Sequence, residues 1–556
     1  MRRMPGRSSP RPWFAAPARL GHRCPGGVHM SGAEVLICGL LVSVAVLAAV
    51  ARLLSIPYPI VLVVGGAAIG FLPGLPHVHL DPEIVLVVFL PPLLYWAALS
   101  ANFHDLRENL RALTLSSVGL VLATAGAVAV LAHALVPGLS WPAAFALGTI
   151  VSPTDPLAAG LVMRRLGAPR RLVSAVEGEG LFNDATALVA YRVAVAAIVG
   201  EGMSYGNAGL AFVAGAAGGI AIGLVVGWLV ALIRRHTTDA QVSLTISLLS
   251  GYAAFIPANA LGASGVLAAV TTGLYMGVRG VTTLPARTRL QGFLVWDIIN
   301  FLINAVLFVL VGLQLRSALE GLAEYTAADL ARYALAVAGT VVVVRLVWFF
   351  TVPYLIRILD RRPGQRERRV GARHRLVLAW SGMRGSVSLA AALALPLAVA
   401  PGFPFAARDL IIFLVFAVIF ATLVVQGLSL PGLIRLLRVT DEGAEERQEL
   451  RARLEATETA LAQIDELAAE EWTRDDSVER MRRAYEYRGR RLGARADQES
   501  EHDYEDRSLA YQQMVRVVLQ AQRTTVVRLR DRGEISNEVM TRIIRDFDLE
   551  EARLEI

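Results

Sequence analysis

Apolar segments of about twenty residues recur along most of this chain and are separated by short polar loops. Roughly 20 apolar residues in a helix cross the hydrocarbon core of a bilayer, and only helices or closed barrels satisfy their backbone hydrogen bonds there. The sequence therefore predicts an all-α polytopic membrane protein with about 13 transmembrane helices. We place them at 34–54, 57–74, 83–100, 112–135, 142–163, 173–199, 207–233, 241–257, 262–278, 293–315, 330–356, 376–399 and 409–436.

The composition supports this class and excludes several functions. Hydrophobic residues make up 55% of the 556 residues and charged residues only 18%, whereas soluble domains have about 25% charged residues. The two cysteines, Cys24 and Cys38, are too few for a disulfide framework and fit no metal-ligand spacing. The sequence contains no phosphate-binding loop, metal-ligand cluster or nucleophilic triad, so we predict neither an enzyme nor a bound cofactor.

The distribution of arginine predicts the orientation in the membrane. Arginine-rich loops follow the odd-numbered segments, whereas loops after even-numbered segments are nearly free of arginine. Because cytoplasmic loops carry the excess of positive charge, we predict a multi-pass protein of the cell membrane with its N-terminus outside and its C-terminal tail in the cytoplasm. The loop arginines are Arg107, Arg111, Arg164, Arg165, Arg170, Arg171, Arg234, Arg235, Arg279, Arg287 and Arg289, with the largest cluster at 361–375.

Charge also divides the chain into three parts. Residues 1–29 carry six arginines on the predicted outer side, so we interpret them as a disordered or mis-annotated extension before a true start at Met30. Residues 30–438 form the predicted transmembrane domain. From Val439 onward, 29 acidic residues and 20 arginines give a net charge of −9, and apolar residues follow helical spacing. We predict a helical cytoplasmic tail over 439–556. The isoelectric point near 9.7 reflects loop arginines, so the predicted partner is the lipid bilayer and not nucleic acid.

Two of the predicted helices carry interruptions. The fifth contains Ser152-Pro-Thr-Asp-Pro156, in which two prolines remove backbone donors and obstruct the preceding turn. The twelfth contains Ser381-Gly-Met-Arg-Gly385. These segments occupy matching places in two six-helix halves, and their offset of seven segments inverts one half relative to the other. Inverted repeats with broken helices at matching places indicate a secondary-transporter site near the membrane midplane.

Charged side chains accompany both interruptions. The N-termini of half-helices carry partial positive charge and their C-termini partial negative charge. We therefore expect Thr154 and Asp155 to cap the N-terminal end at the first break, and Arg384 to offset the carbonyl ends at the second. Ordinary proline and glycine kinks are the alternative, but they leave the buried Asp and Arg unexplained.

The sixth segment carries three polar groups within six residues, Glu179, Asn183 and Asp184. A carboxylate at membrane depth costs about 2.5–3.5 kcal/mol on translocon scales, so it is usually paired or serves a substrate. We interpret Glu179 as the structural ion-pair partner of Arg384, and Asp184 as the carboxylate that binds a cation or a proton beside the neutral Asn183. In the alternative, Asp184 is ion-paired with Arg384 or Arg345 and only holds helices together.

Three classes of transport protein use such features. An ion channel needs a pore-lining filter, and no repeat in the sequence builds one. A symporter of an organic anion can use the same broken helices. An antiporter explains a carboxylate without a permanent cation, so we favour it, and flux measurements in vesicles separate the three.

Four motifs in this order make the chain resemble the monovalent cation:proton antiporters of the first subfamily, the bacterial and animal sodium/proton exchangers. The motifs are Leu90-Pro-Pro-Leu-Leu-Tyr95, Ser152-Pro-Thr-Asp-Pro156, Glu179-Gly-Leu-Phe-Asn-Asp184 and Gly382-Met-Arg-Gly385, within a resemblance that covers 34–438.

This resemblance implies a mobile core with two crossing broken helices that moves against a dimerising scaffold, and hence a homodimer. It implies that Asp184 carries the cation, Na⁺, and H⁺ in turn, with Asn183 beside it. We include Thr154 and Asp155, at the first break, in the predicted cation- and proton-binding group. In this family an Asn-Asp pair goes with electroneutral one-for-one exchange.

Three positions depart from the family pattern. Trp96 and Asn259 stand where many relatives have an acidic residue, and Gly180 stands where Ser is frequent. Na⁺ is the expected cation. Because fewer oxygen ligands alter the coordination shell, K⁺ and Li⁺ stay open as alternatives.

Overall fold

The computed structural model describes residues 32–54, 56–73, 82–101, 103, 114–200, 205–237, 239–359, 371–400, 403–439, 444–496 and 501–552. The predicted N-terminal extension, 1–29, lies outside these residues. Contacts divide the chain into a larger unit, up to Val162 and again over Ser174–Leu433, and a smaller unit of Met163–Val173 with the residues from Ile434 onward. The smaller unit therefore includes two short stretches of the predicted transmembrane domain, 163–173 and 434–438.

Helices form nearly all of the regular structure in the described residues. Up to the second break they are α1 (Gly32–Leu54), α2 (Tyr58–Gly70), α3 (Pro82–Ser100), a π-helical turn (Leu115–Gly119), α4 (Leu120–Leu135), α5 (Trp141–Val151), α6 (Pro156–Arg165), α7 (Arg170–Ile198), α8 (Tyr205–Arg235), α9 (Ala240–Ala260), α10 (Gly265–Thr283), α11 (Ala286–Glu320), α12 (Ala327–Leu359) and α13 (Ala372–Trp380). After it come α14 (Ser386–Leu393), the antiparallel strands β1 (Ala398–Ala400) and β2 (Phe403–Pro404), α15 (Arg408–Ala421), a second π-helical turn (Thr422–Gln426) and α16 (Gly427–Leu437). The C-terminal helices are α17 (Ala444–Leu467), α18 (Asp475–Ala496), α19 (Glu501–Asp531) and α20 (Asn537–Ala552).

The apolar segments form helices, as the sequence predicts. Within the described residues, eight helical stretches are long and apolar enough to cross a membrane, and three further apolar helices are shorter. This shows a multi-pass helical membrane protein, while the count of 13 spans and the inverted repeat stay predictions. The eight stretches are Ser117–Leu135, Trp141–Arg165, Arg170–Ile198, Val213–Arg235, Ala240–Ala260, Thr288–Glu320, Ala327–Leu355 and Arg408–Leu437.

Within the larger unit the helices pack in recognisable groups. We call α3, α8, α9 and α10 the scaffold group, because these helices pack on one another. We call α4, α5, α12, α13, α14 and α15 the break group. Helices α5, α13 and α14 are parts of the two interrupted helices, and α4, α12 and α15 pack on them. Helices α2 and α11 form a close pair, in which a Cβ on Gly66 would overlap the carbonyl oxygen of Val309. Small residues allow this approach between membrane helices.

The C-terminal helices pack in pairs, α17 with α18 and α19 with α20. Ile464 and Leu492 are buried, as is Leu519 in α19. Charged side chains cover the exposed faces, where Arg453 bridges to Glu449 one turn away. The predicted helical character of this segment is therefore present in its described residues, and its cytoplasmic location stays a prediction.

Candidate functional site

The two interrupted helices meet at their breaks. The residues between α5 and α6 are Ser152 to Asp155, and those between α13 and α14 are Ser381 to Gly385. The backbone N–H of Asp155 donates to the carbonyl oxygen of Met383 at 2.8 Å. Each break therefore satisfies backbone groups of the other, which explains how unwound backbone is tolerated in this interior.

Arg384 places its positive charge at the carbonyl ends of two half-helices. Its Nε donates to the carbonyl oxygen of Val151, the last residue of α5, at 2.8 Å. Its Nη1 donates to the carbonyl oxygen of Gly382, just after α13, at 2.7 Å. Cations stabilise helix C-termini, so Arg384 offsets the partial negative charge of the carbonyl ends at both breaks. This role was predicted for the second break only.

Asp155 performs the opposite task at the N-terminal ends. Its Oδ1 accepts a hydrogen bond from the N–H of Leu157 in the first turn of α6 at 2.8 Å. Its carboxylate also lies against Gly385, where a Cβ would overlap Oδ2, directly before α14. Asp155 therefore lies at the starts of α6 and α14, where a negative charge is favourable. The predicted capping role of Asp155 is present.

The predicted ion pair between Glu179 and Arg384 is wrong, because Arg345 is the partner of Glu179. Arg345 Nη1 and Nη2 bind the two carboxylate oxygens of Glu179, the second at 3.2 Å. Both side chains are buried, with 2% and 5% of their surfaces exposed. Arg345 also donates to the carbonyl oxygens of Leu378 and Ala379 at 3.1 Å. It fills space beside Gly382, where a Cβ would overlap its side chain.

A chain of hydrogen bonds connects this ion pair to the neighbour of Asp184. Thr154 Oγ1 donates to Glu179 Oε1 at 3.3 Å and accepts from Asn183 Nδ2 at 2.7 Å. Asn183 is 2% exposed, and its Oδ1 is buried without a hydrogen-bond partner in the structure. The chain of bonds thus directs the amide nitrogen of Asn183 toward Thr154 and leaves its carbonyl oxygen available.

Asp184 differs from the other charged groups of the site. It is partly exposed in the middle of α7, and among the described residues it makes no hydrogen bond or ion pair. Its carboxylate interacts electrostatically with another carboxylate, that of Asp155. The alternative in which Asp184 is ion-paired with Arg384 or Arg345 therefore does not describe this arrangement.

Three residues of the site were missed, or given another role, by the sequence analysis. Arg345 was considered only as a partner of Asp184, although its charge within an apolar segment was a signal. Ser117 Oγ donates to the carbonyl oxygen of Glu179 at 3.4 Å, and Thr422 Oγ1 accepts from the N–H of Arg384 at 3.1 Å. Both lie in π-helical turns, which often mark functional places in helices and have no sequence signature here.

The departures from the family pattern have structural counterparts. Trp96 is buried and stacks on Trp296 with ring centroids 5.5 Å apart, so an aromatic core replaces an acidic side chain. Gly180 lies against Pro156, whose Cδ would be 2.6 Å from a Cβ at this position. The Oδ1 of Asn259 accepts hydrogen bonds from Arg192 and from the N–H of Gly265.

The sequence pattern of the family described as sodium/hydrogen exchanger, transmembrane, matches residues 40–436. The chain belongs to this family. The matched part includes both breaks and every residue of the site above, so the predicted membership of the cation:proton antiporters is confirmed. Sodium/hydrogen exchangers are secondary transporters, which places the chain among multi-pass transport proteins.

Individual exchangers are similar over most of the chain. An uncharacterised Na⁺/H⁺ exchanger of Mycobacterium tuberculosis is 39% identical over 540 residues, covering 95% of this chain and 98% of that protein. A Bacillus subtilis antiporter named for sodium, potassium, lithium and rubidium is 32% identical, covering 68% of this chain and 57% of that protein. The structure of the sodium proton antiporter MjNhaP1 from Methanocaldococcus jannaschii has a TM-score of 0.56 at 19% identity and covers 73% of this chain and 100% of that chain. This last likeness is one of fold.

Proposed function

We propose that this exchanger moves a monovalent cation, Na⁺ first among the candidates, in exchange for H⁺ across the cell membrane. Asp184 binds the cation and the proton in turn, and the protein exposes it alternately to the two sides. One cation exchanges for one proton, so each cycle transfers no net charge. As a transported substrate, the cation is cargo and not a resident cofactor.

The observation that carries this proposal is the charge balance around the breaks. Glu179 is neutralised by Arg345, Arg384 binds carbonyl oxygens, and Asp155 lies at two helix N-termini. Asp184 remains as the partly exposed carboxylate without such compensation in the described residues. A carboxylate in this position gains a counter-charge only by binding a cation or a proton, which makes the two competitors for one site.

The neighbours of Asp184 fit a cation that prefers oxygen ligands. The unpartnered Oδ1 of Asn183 offers a neutral oxygen next to the carboxylate in sequence. Thr154 and Asp155 complete the proposed group, although Thr154 Oγ1 already binds Asn183 and Glu179. We therefore assign Asp184 and Asn183 as ligands, Thr154 as the residue that positions Asn183, and Asp155 as a second carboxylate of the binding group.

Replacing Asp184 tests the assignment directly. Purified protein in proteoliposomes with a pH-sensitive dye inside reports proton flux after addition of Na⁺. Asp184→Asn has a permanently neutral side chain and should abolish this flux while the protein still inserts. Glu324→Gln is a control, because Glu324 is an exposed carboxylate in the connection between α11 and α12, and it should keep wild-type flux. Full cation-dependent flux in Asp184→Asn would refute the proposal.

The stoichiometry rests on Asn183, which cannot ionise and therefore carries no second proton. Membrane voltage is worth about 2.3 kcal/mol per charge per 100 mV, so it drives an electrogenic exchanger but not an electroneutral one. Vesicles clamped with valinomycin and K⁺ at several voltages should show the same Na⁺-driven proton flux. A reversal point that shifts with voltage would mean that more than one proton moves per cation.

The identity of the cation needs a series of ions. The Bacillus relative is named for four alkali cations, and Trp96 and Asn259 provide no carboxylate where many relatives have one. Proton flux measured with equal concentrations of Na⁺, Li⁺ and K⁺ ranks the ions. A response to K⁺ alone would favour the K⁺/H⁺ alternative, and no response without an organic anion would favour the symporter.

The arrangement in the membrane completes the proposal. We expect a homodimer with the N-terminus outside and the C-terminal helices in the cytoplasm. Cross-linking in native membranes should trap a species of twice the monomer mass. Protease added to sealed, right-side-out vesicles should leave the C-terminal segment intact.

A further inference from the structure

We propose that Arg192 is a positioning residue of the transport cycle, a latch that joins the outer end of α7 to the turn between α9 and α10. The latch holds closed the outer side of the path to Asp184 and thereby sets the balance between the two access states. This inference rests on the proposed alternating access at Asp184, and its test separates the two.

The latch consists of two hydrogen bonds from one guanidinium. Arg192 Nη1 donates to the carbonyl oxygen of Ala263 at 3.1 Å, and Nη2 donates to Asn259 Oδ1. The same Oδ1 accepts from the N–H of Gly265 at 3.0 Å. Asn259 therefore links the guanidinium to the first residue of α10, and the acceptor is held in place before Arg192 reaches it.

The turn that receives Arg192 is itself well anchored. Gly262 has a φ of +74°, a conformation that favours glycine, and its N–H donates to the carbonyl oxygen of Asn259 at 3.0 Å. The N–H of Ser264 donates to the carbonyl oxygen of Gly215 in α8 at 2.9 Å. Arg192 thus binds a rigid corner that three helices of the scaffold group share.

Helix α7 also forms hydrogen bonds with residues in or beside the break group. Glu179 and Asn183 bind Ser117, Thr154 and Arg345. The two hydrogen bonds of Arg192 join the Asp184 helix to the scaffold group. Alternating access moves one bundle against the other around a fixed site, so a bond between the two groups must form in one state and break in another.

The position of Arg192 along α7 assigns the latch to the outer side. Arg192 lies eight residues after Asp184, which is about 12 Å along a helix axis. Helix α7 begins at Arg170 and Arg171 beside an arginine-rich loop, which the positive-inside rule places in the cytoplasm. Arg192 is therefore near the opposite, outer end, so the bond ties the helices together between Asp184 and the external solution.

The chemistry of the acceptors suits a latch that opens in every cycle. Arg192 is exposed, and both acceptors are neutral oxygens, one amide and one backbone carbonyl. A charged guanidinium bound to a carboxylate is held more strongly than one bound to a neutral oxygen. Here the neutral acceptor gives a bond that holds one state without locking it.

The test measures the half-saturating Na⁺ concentration from each side, in right-side-out and in inside-out vesicles. Arg192→Gln removes the guanidinium that donates both hydrogen bonds, so the outward-open state should become more populated. The outer half-saturating concentration should fall about threefold or more and the inner one should rise. Asn259→Asp provides a charged acceptor and should shift both values in the opposite direction with slower turnover. Combined with Arg192→Gln, the Asn259→Asp change should lose its effect.

The control is Arg332→Gln, which removes an exposed arginine at the same predicted side of the membrane. Arg332 forms an ion pair with Asp329, three residues earlier in the same helix, at 3.6 Å. Its replacement therefore breaks no ion pair between helices and should leave the outer and inner half-saturating concentrations unchanged. If Arg192→Gln folds poorly, Arg192→Lys and Asn259→Asp supply the same comparison in proteins that retain the charge or the acceptor.

Two results would overturn the latch. A wild-type ratio of outer to inner half-saturating concentrations in Arg192→Gln would refute it, and so would lower thermal stability of the variant with that ratio unchanged, since that is a structural role alone. The proposed function fails separately, if Asp184→Asn still exchanges Na⁺ for protons. A latch that fails while Asp184→Asn is inactive leaves the proposed function in place.

Discussion

Arg345 binds both carboxylate oxygens of Glu179 in the interior of the larger unit. Its Nε and Nη2 also donate to the carbonyl oxygens of Ala379 and Leu378 in the last turn of α13. One side chain of α12 thereby ties the helix that carries Asp184 to the second broken helix. The carboxylate of Glu179 is also an acceptor for Thr154. The ion pair thus supports the first break, the second break and the Asp184 helix together.

The first prediction concerns this pair. Removing one partner of a buried ion pair costs about 3–5 kcal/mol, because the other charge is left uncompensated. Glu179→Gln and Arg345→Gln should each lower the thermal unfolding temperature and the antiport rate. The double variant should lose less than the sum of the two. Glu177→Gln is the control, because Glu177 is exposed two residues earlier. Strict additivity of the single losses would contradict the contact.

The second prediction concerns the close approach at Gly385. A Cβ there would overlap the carboxylate of Asp155, so Gly385→Ala should displace Asp155 from the starts of α6 and α14. Overpacking of this kind costs about 1–3 kcal/mol, and we expect antiport to be lost together with that stability. Gly126→Ala in α4 is the control, since a Cβ there has no neighbour within 4 Å. Equal transport in both variants would show that the breaks tolerate the added methyl group.

The third prediction changes the charge carried per cycle. Asn183→Asp adds a second carboxylate beside Asp184, so a second proton can bind in the proton-loaded state. Na⁺-driven proton flux in this variant should depend on voltage in clamped vesicles, unlike that of the wild type. Asn183→Ala lacks both the amide and a charge, and it should weaken cation binding while exchange stays independent of voltage. Voltage-independent flux in an active Asn183→Asp variant would count against Asn183 as the determinant of stoichiometry.

The fourth prediction concerns the C-terminal helices. Arg523 in α19 binds Glu551 and Asp548 in α20, each at 2.6 Å, and the hydrogen bonds to these two carboxylates raise the pKa of Arg523. A cation with a raised pKa contributes fully at every pH below its ordinary pKa, and the contribution is lost only as the pH rises through the raised pKa. In the neutral range the contribution of this contact is therefore independent of pH.

Amide hydrogen exchange of the intact protein tests this contact. Arg523→Gln should speed exchange in α20 by the same factor throughout the neutral range, after correction for the intrinsic rate. Arg532→Gln is the control, because among the described residues Arg532 forms an ion pair only with Glu534, two residues later, at 3.9 Å. Unchanged protection of α20 in Arg523→Gln would show that apolar contacts alone hold the pair.

The sequence predicted where helices form better than where they end. The sixth segment was predicted at 173–199 and the tenth at 293–315, whereas α7 begins at Arg170 and α11 extends over Ala286–Glu320. Hydropathy marks only the part of a helix that lies in hydrocarbon. Helices continue into the headgroup region with charged residues, and this is why arginines assigned to loops lie in helix ends.

Local chemistry alone determined the class of the protein, the two breaks and the choice of Asp184 with Asn183. Apolar length, proline and glycine act on the residues beside them, and a carboxylate in an apolar segment is recognisable without knowledge of its neighbours. The partner of Glu179 and the link from Arg192 to Asn259 were decided only by the tertiary structure. An arginine side chain is long and flexible, so two buried arginines are equal candidates in sequence. Which guanidinium meets the carboxylate depends on the packing of α12 against α13, and this is a relation between distant segments that no local pattern encodes.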